Sequence, residues 1–218
     1  TNELYRRTGC MVNCIYPRFV LPFLRKEGVE LKGKKFLTQG GYNFFRLTGE
    51  VLETACTQSG AGFINLDSGQ YDDFVMDFCG VRAEQFGPLA TYEDVRPLSG
   101  AAAGFMHIPA GIPVVPSFAD GALNQIGSYA DRAGVMTVSV GTSAALRMTS
   151  DNPSLPPDRR IWCYRGVQNN YIKGGAISGA CNCINWLKDT MLGGRFSFDE
   201  LEEETGSPLP EFLPFLFG

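Results

Sequence analysis

The sequence predicts an α/β protein, on three observations. Its 218 residues include 26 glycines and 13 prolines, which indicate frequent, short connections. Residues 135–140 (VMTVSV) alternate and are rich in β-branched side chains, which is typical of a strand. Shortly before them, Ala122, Leu123, Ile126 and Tyr129 recur at helical spacing. Helix and strand patterns therefore follow one another along the chain, as in an α/β fold.

The first half of the chain contains short patterns separated by glycines. Residues 18–26 (RFVLPFLRK) are apolar and helix-like, but Pro22 lacks a backbone N–H, so we predict a bend or a helix start there. Two further helices should end at Gly49 and Gly80, since glycine readily adopts the left-handed conformation that closes a helix. These two helices are predicted at 42–47 and 71–78, and short strands are predicted at 35–38 and 62–66.

The second half is richer in strands. An apolar run with two prolines at residues 112–118 predicts a buried strand, and Asp120 follows it at the start of the next helix. Residues 141–143 (GTS) predict a tight turn after the strand at 135–140. The remaining predictions are strands at 144–148, 161–164 and 171–173, a helix at about 178–191 that glycines 174 and 175 introduce, and the beginning of a further element at 212–216.

Composition excludes several classes of function. The net charge is −4 and the 19 basic residues are scattered, so nucleic acid is not an expected partner. No apolar run approaches the roughly 20 residues that span a bilayer, and the first residues lack the apolar core of a signal peptide. Seven cysteines without a C-x-x-C pair, beside a single histidine, argue against a metal site. We expect reduced, mostly buried thiols and a cytoplasmic protein.

Two features carry the residue types that phosphoryl transfer needs, which are a carboxylate base and donors for phosphate oxygens. The small residues Gly141, Thr142 and Ser143 form a turn whose N–H groups converge, with two hydroxyls beside them. Asp120 lies at a strand-to-helix junction. Each feature also has a plain structural interpretation, because GTS is a common hairpin turn and an Asp before a helix is commonly an N-cap. The combination of the two within one short stretch is the stronger signal.

Several motifs, in order along the whole chain, resemble the FGGY carbohydrate kinases of the actin/hexokinase/Hsp70 superfamily, most closely the gluconate kinase branch. The two that carry the resemblance furthest are residues 120–128 (DGALNQIGS) and 138–147 (VSVGTSAALR). The others are residues 46–50 (RLTGE), 59–63 (SGAGF), 171–178 (YIKGGAIS), 184–189 (INWLKD) and 212–218 (FLPFLFG).

The resemblance implies both a reaction and a set of residues. In the family, the Asp that opens the helix is the catalytic base, here Asp120, and the G-T-S hairpin contacts the phosphates of ATP. It implies further nucleotide contacts from Gly174 and Gly175, ATP and Mg²⁺ as cofactors with no metal ligands supplied by the protein, and a small sugar or sugar acid as the substrate, with gluconate or a pentulose favoured. The sequence leaves the oligomeric state open, and a homodimer is one alternative.

The resemblance also implies two ribonuclease-H-like domains, both incomplete in this chain. Residues 1–131 correspond to the carboxy-terminal part of the sugar-binding domain, and residues 132–218 to the amino-terminal part of the ATP-binding domain, with a cleft between them. The chain corresponds to about half of a typical member, so we expect the isolated chain to be inactive. Two alternatives remain, a non-catalytic fragment or pseudokinase that folds without turnover, and a non-sugar ATPase of the same superfamily.

Three departures from the family pattern affect the expected function. Gly41 stands where members carry a carboxylate before a tyrosine, and Val20 and Phe23 replace the Lys and Trp of an early motif. These changes put the choice of sugar in doubt. The glycine pair that usually follows a second-domain strand is Ala180-Cys181 here, after Gly179, which puts the packing of that helix start in doubt. None of them affects Asp120.

Overall fold

The computed structural model describes residues 2–195 and 197–203. Helices and strands are mixed along this part, as the sequence predicts. No described helix is both long and apolar enough to cross a membrane. The helices are α1 (Asn2–Thr8), α2 (Pro17–Lys26), α3 (Gln39–Thr48), α4 (Ala55–Ala61), α5 (Asp73–Cys79), α6 (Gly100–Met106), α7 (Asp120–Gly127), α8 (Cys181–Trp186), which continues into a π-helical turn (Leu187–Met191), and α9 (Phe198–Glu203).

The described strands form three sheets, of which the last is the largest. Two pairs are only two residues long on each side: β1 (Glu53–Thr54) with β2 (Leu89–Ala90), which are parallel, and β3 (Arg96–Pro97) with β4 (Pro113–Val114), which are antiparallel. The third sheet contains β5 (Met136–Val140), β6 (Ala144–Ser150), β7 (Trp162–Arg165) and β8 (Tyr171–Ile177). Its order is β5-β6-β8-β7, and every neighbouring pair is antiparallel.

A hydrophobic core lies under α1, α2, α4 and α5. Phe86 is its centre, with ring centroids 4.8 Å from Phe63, 5.3 Å from Tyr71 and 5.5 Å from Phe36. Such contacts between aromatic rings stabilise a core by about 0.5–1.5 kcal/mol each beyond the area they bury. The buried members of this cluster are Leu4, Leu21, Leu31, Phe63, Val75, Met76, Cys79, Val81 and Phe86.

The helix stops and the strands predicted from residue 135 onward are confirmed. Gly49 and Gly80 end α3 and α5 in the left-handed conformation, with φ of 85° and 72°. The predicted strand at 135–140, the GTS turn, and the strands near 144–148, 161–164 and 171–173 are β5 to β8. The element predicted at 212–216 lies outside the described residues.

Two predicted strands, at 35–38 and 62–66, are wrong because their backbone groups bond outside a ladder, and a third is confirmed only in part. In residues 35–38, the N–H of Thr38 donates to the Glu53 carboxylate at 2.7 Å, and the stretch forms no strand. In residues 62–66, only Ile64 makes a bridge, to Tyr71. The run at 112–118 forms a strand only at β4, since its prolines have no N–H to donate, and its residues range from exposed to buried instead of forming a buried strand.

Pro22 lies inside α2, so the predicted helix start at this residue is wrong, while the bend stays a prediction. A proline in a helix leaves the carbonyl one turn earlier without its N–H partner, which here is the carbonyl of Arg18. The buried thiol of Cys79, on α5, donates a hydrogen bond to this carbonyl at 3.2 Å. A tertiary contact therefore satisfies the group that the proline leaves free, and the helix continues.

Candidate active site

Asp120 is the first residue of α7, and Ala119 is the N-cap, so Asp120 does not occupy the capping position itself. Its carboxylate Oδ1 accepts a hydrogen bond from the N–H of Gly121 at 2.6 Å. The side chain is exposed. A carboxylate in the first turn also interacts favourably with the positive end of the helix dipole. Asp120 is therefore oriented by the helix start and remains accessible to a ligand.

The GTS turn is held in place by three backbone hydrogen bonds. The N–H of Gly141 donates to the carbonyl of Ser143 at 2.8 Å, and the N–H groups of Ala180 and Cys181 donate to the carbonyls of Thr142 and Gly141 at 3.1 and 2.9 Å. These bonds fix the turn to the start of α8, across the altered stretch Gly179-Ala180-Cys181.

The turn nevertheless keeps free donors. Within the described part of the chain, the N–H groups and the hydroxyls of Thr142 and Ser143 donate to no protein atom. All three residues of the turn are exposed. A rigid turn with several unpaired donors fits an anionic group such as a phosphate.

Helix α7 lies on β6 in a register that brings Asp120 near this turn. Gly121 faces Arg147 and Gln125 faces Thr149. The spacing matches because four residues of helix rise about 6 Å and two residues of strand about 6.6 Å. The base candidate, at the start of the helix, is thus beside the strand that leaves the turn.

A buried polar cluster holds this register, and we name it the clamp: Gln125, Thr149, Thr137 and the carbonyl of Ala130. The Gln125 amide Nε2 donates to Thr149 Oγ1 at 3.2 Å and to the Ala130 carbonyl at 3.3 Å. Thr149 Oγ1 donates to the same carbonyl at 2.6 Å, and the Thr137 hydroxyl donates to Gln125 Oε1. Gln125 and Thr149 are each only 1% exposed. Such satisfied buried networks fix one arrangement of the elements that they join.

A cavity of about 490 Å³ opens between α7, the four-stranded sheet and the segment that follows α1. Asp120, Gly121, Ser143 and Arg147 line it, so the base candidate and the turn face one space. The rest of its lining is largely apolar and aromatic, with Met11, Tyr16, Cys56, Trp162, Tyr164, Ile172 and Ala176 among the residues. A volume of this size is typical of small-molecule pockets.

The aromatic part of the cavity is rigid and does not supply an acid or base at neutral pH. Trp162 and Tyr164 stack with centroids 4.6 Å apart, and the hydroxyls of Tyr164 and Tyr16 are hydrogen-bonded at 2.7 Å. Burial raises the pKa of both Tyr16 and Tyr164 above the ordinary value of 10.0. These side chains therefore shape the cavity, and Asp120 is the carboxylate among its lining residues.

Two arginines line the cavity, and neither was predicted as a site residue. Arg165 is buried and already engaged, since it donates to Asn169 Oδ1 at 2.6 Å and to the Asp67 carbonyl at 2.8 Å, with its guanidinium over the Tyr171 ring. Arg147 is half-buried, and among the described residues its guanidinium donates only to Ser139 Oγ, at 3.2 Å. In the sequence, Arg147 stands out only as the single charged residue of its strand. This charge indicates a site residue only once the contact between the strand and α7 is known.

The sequence indicated that Gly174 and Gly175 lead into a helix. They lie instead within β8, opposite Arg147 and Leu146 respectively. Neither lines the cavity. A Cβ on Gly174 would lie 2.2 Å from the Leu146 carbonyl oxygen and 2.6 Å from the Trp162 ring, so packing alone requires glycine there. Their predicted role in nucleotide binding stays a prediction.

The departure at Gly41 has a structural partner. The carboxylate of Glu53, 1% exposed, fills the space beside Gly41 and accepts from the Thr38 N–H and hydroxyl, both at 2.7 Å. A Cβ at Gly41 would lie 2.1 Å from Glu53 Oε1. Burial raises the pKa of Glu53. Neither Gly41 nor Val20 lines the cavity that holds Asp120.

Among the described residues, no group of three or more His, Cys, Asp or Glu side chains is arranged to hold a metal ion.

Comparison with known proteins identifies the family. The model for the N-terminal domain of the FGGY family of carbohydrate kinases matches residues 1–127. The chain belongs to this family. It is 27% identical to a gluconokinase of Bacillus subtilis over 207 residues, which cover 94% of this chain and 39% of that protein.

Solved structures of other FGGY kinases confirm the predicted fold. A ligand-bound xylulose kinase from Lactobacillus acidophilus matches with a TM-score of 0.87 and 26% identity, over 94% of this chain and 43% of that one. A gluconate kinase from the same organism matches with a TM-score of 0.82 and 26% identity, over 91% of this chain and 40% of that one. The chain thus has the actin-like fold of the family and spans about two fifths of the length of these relatives. The division at residue 131 stays a prediction.

Proposed function

We propose that this chain supplies the catalytic base and a phosphate-binding turn to an ATP-dependent kinase that phosphorylates a small sugar or sugar acid, with gluconate or a pentulose as the favoured substrate. The observation that carries the proposal is the shared cavity, which Asp120 and Ser143 both line in a chain of the FGGY family. The gluconokinase and xylulose kinase relatives support this choice of substrates.

Each residue has a defined part in the proposed reaction. The Asp120 carboxylate accepts the proton of a primary hydroxyl of the sugar, and the Gly121 N–H orients it. The free N–H groups and hydroxyls of Thr142 and Ser143 donate to phosphate oxygens of ATP. The apolar and aromatic side of the cavity limits the access of water, so that the sugar hydroxyl is the acceptor. ATP with Mg²⁺ supplies the phosphoryl group.

The activity belongs to a protein that contains this chain together with the remaining length of its relatives, which we call the whole kinase. The chain matches only 39% of the curated gluconokinase, so other parts of that length are expected to contribute to both substrate sites. A catalytically inactive protein that folds and binds nucleotide weakly is the second candidate. The departure at Gly41, in a motif where the family carries a carboxylate, favours it.

The experiment that tests the proposal is ADP release by the whole kinase with ATP, Mg²⁺ and a panel of sugars, with Asp120→Asn beside the wild type. Loss of a general base lowers kcat by about 10²–10⁴-fold, and ATP binding measured by calorimetry should be retained. Asp151→Asn, at an exposed position outside the cavity, is the matched control. Sugar-independent ATP turnover would instead favour an ATPase. No sugar-dependent turnover by the wild type would overturn the kinase proposal in favour of the inactive protein.

A further inference from the structure

Arg147 lines the cavity that the proposed base and the proposed phosphate-binding turn share. It is on β6, the strand that leaves the turn, and pairs with Thr137 on one side and Gly174 on the other. A Cβ built on Gly121 would lie 3.0 Å from Arg147 Nε and 3.7 Å from its Cζ. The guanidinium therefore lies against the backbone of Gly121, the residue whose N–H binds the Asp120 carboxylate.

In the described part of the chain, a single hydrogen bond holds the guanidinium, so most of its N–H groups are available to a ligand. It is half-buried, lines the cavity and donates one hydrogen bond, at 3.2 Å, to Ser139 Oγ. Across the described residues it forms no ion pair. Arg165, the other arginine of the cavity, contrasts with it, because two acceptors and the Tyr171 ring already hold that side chain. A partly desolvated cation with free donors in a cavity calls for an anionic ligand.

We propose that Arg147 binds the phosphoryl group while it is transferred, and is a further catalytic residue of the proposed kinase, on whose function this inference rests. In the reaction, the hydroxyl proton goes to Asp120 and the sugar oxygen forms a bond to the γ-phosphorus. The bond from that phosphorus to the β,γ-bridging oxygen breaks, and ADP leaves with that electron pair. The γ-phosphoryl lies between the base and the groups that hold the phosphate chain, and the guanidinium lines the cavity that these groups share and lies against Gly121, next to the base. An arginine there offsets the charge on the equatorial oxygens.

The carboxylate of a sugar acid is the other anion that might be considered, and the geometry disfavours it. In an aldonic acid the carboxylate and the primary hydroxyl are at opposite ends of the carbon chain. If Asp120 contacts that hydroxyl, the carboxylate points away from Gly121 and from the guanidinium beside it. The phosphoryl group is the anion next to the base.

The test uses the whole kinase with Arg147→Met and Arg147→Lys, and Arg132→Met as the matched control, since Arg132 is exposed and outside the cavity. Steady-state kinetics give kcat and both KM values, and calorimetry gives the Kd of ATP and of ADP. With Arg147→Met we expect kcat to fall by about 10²-fold or more. The Kd of ATP should rise by about tenfold or more, as for a lost charge-assisted hydrogen bond, while that of ADP changes less than about twofold. Arg147→Lys should recover part of the lost kcat and part of the lost affinity for ATP.

The possible failures are distinguishable. An unchanged kcat in an active kinase, equal losses of ATP and ADP affinity, or a rise confined to the KM of a sugar acid would each overturn the role of Arg147 and leave the proposed function standing. If the wild type shows no sugar-dependent turnover but binds ATP, the proposed function fails, and the ratio of the two nucleotide affinities still decides whether Arg147 contacts the γ-phosphate. If it binds neither nucleotide, both proposals are overturned.

Discussion

The clamp makes a quantitative prediction about stability, for which Thr149→Val is the sharpest perturbation. Valine keeps the shape of threonine and removes one hydroxyl, which donates to the Ala130 carbonyl at 2.6 Å and accepts from Gln125 Nε2 at 3.2 Å. The site is 1% exposed, so water does not replace either bond. The bond from Gln125 Nε2 to the Ala130 carbonyl remains, but the second N–H of that amide loses its acceptor, and a buried donor left without a partner costs about 1–3 kcal/mol. With a urea m-value of about 2 kcal/mol per M, the unfolding midpoint should fall by about 0.5–1.5 M.

The assay is urea unfolding of the chain followed by circular dichroism, with Thr190→Val as the control because Thr190 is exposed. The control should remain within about 0.5 kcal/mol of the wild type. Gln125→Met and the double variant complete a cycle, and the two changes should couple by about 0.5–3 kcal/mol because both residues belong to one network. If Thr149→Val destabilises no more than the control, or if the two changes simply add, the clamp does not hold α7 on the sheet.

Three other predictions follow from buried groups elsewhere. Gly41→Ala should destabilise the chain by about 1–3 kcal/mol in urea unfolding, because its Cβ would overlap the Glu53 carboxylate, whereas Gly104→Ala, which meets no atom, should not. Because the pKa of Glu53 is raised from 4.5, folding binds this proton more tightly, so the unfolding free energy of the wild type relative to Glu53→Gln should fall as the pH rises from 4.5 through the raised pKa. A thiol reagent should rapidly label the exposed Cys14 and Cys181 of the native chain and the buried cysteines only after unfolding.

The last of these predictions depends on how burial affects thiols. Only the thiolate is the reactive form. Burial raises the pKa of Cys10 and Cys79 to about 12 and that of Cys56 and Cys163 to about 11. Fast labelling of these four in the folded chain would contradict the packing described above.

The parts of the fold that could be predicted from sequence are those with a local physical cause. Gly49 and Gly80 end helices because glycine tolerates a positive φ, and the alternation of residues 135–140 predicted β5. The failed predictions depend on distant partners. Nothing near Pro22 in the sequence indicates that the Cys79 thiol will satisfy the Arg18 carbonyl.

The residues of the candidate site also fall into those with a local sequence pattern and those that depend on distant partners. Asp120 and the GTS turn were found from a short stretch of sequence, because a base before a helix and a turn of small residues are local patterns. Arg147 acquires its meaning only from the register of α7 on β6, which a one-dimensional pattern does not contain. Gly174 is the opposite case, because its sequence pattern suggested a role in binding phosphate. In the structure the position must be glycine for packing, since the Trp162 ring and the Leu146 carbonyl leave no room for a Cβ.

The clamp also bears on whether the two predicted domains move relative to each other. Helix α7 belongs to the predicted first domain and β6 to the second, yet buried hydrogen bonds join them. The other edge of the same sheet is tied to the first part as well, because the N–H of Cys163 donates to the Gly9 carbonyl at 3.0 Å and that of Arg165 to Ser59 Oγ at 3.1 Å. With both edges held, the base and the turn have a fixed separation within this chain.

We therefore expect α7 and the four-stranded sheet to move as one body when the whole kinase binds its substrates. Spin labels at Leu123 and Val138, which are 48% and 64% exposed, report this separation once Cys14 and Cys181 are replaced by serine. Their distance should stay constant on addition of sugar and ATP, because a closure that parted α7 from β5 and β6 would have to break the buried bonds of the clamp. A shift of several ångströms would show instead that the predicted boundary at residue 131 is a hinge, and that Asp120 reaches the phosphates only in the closed state.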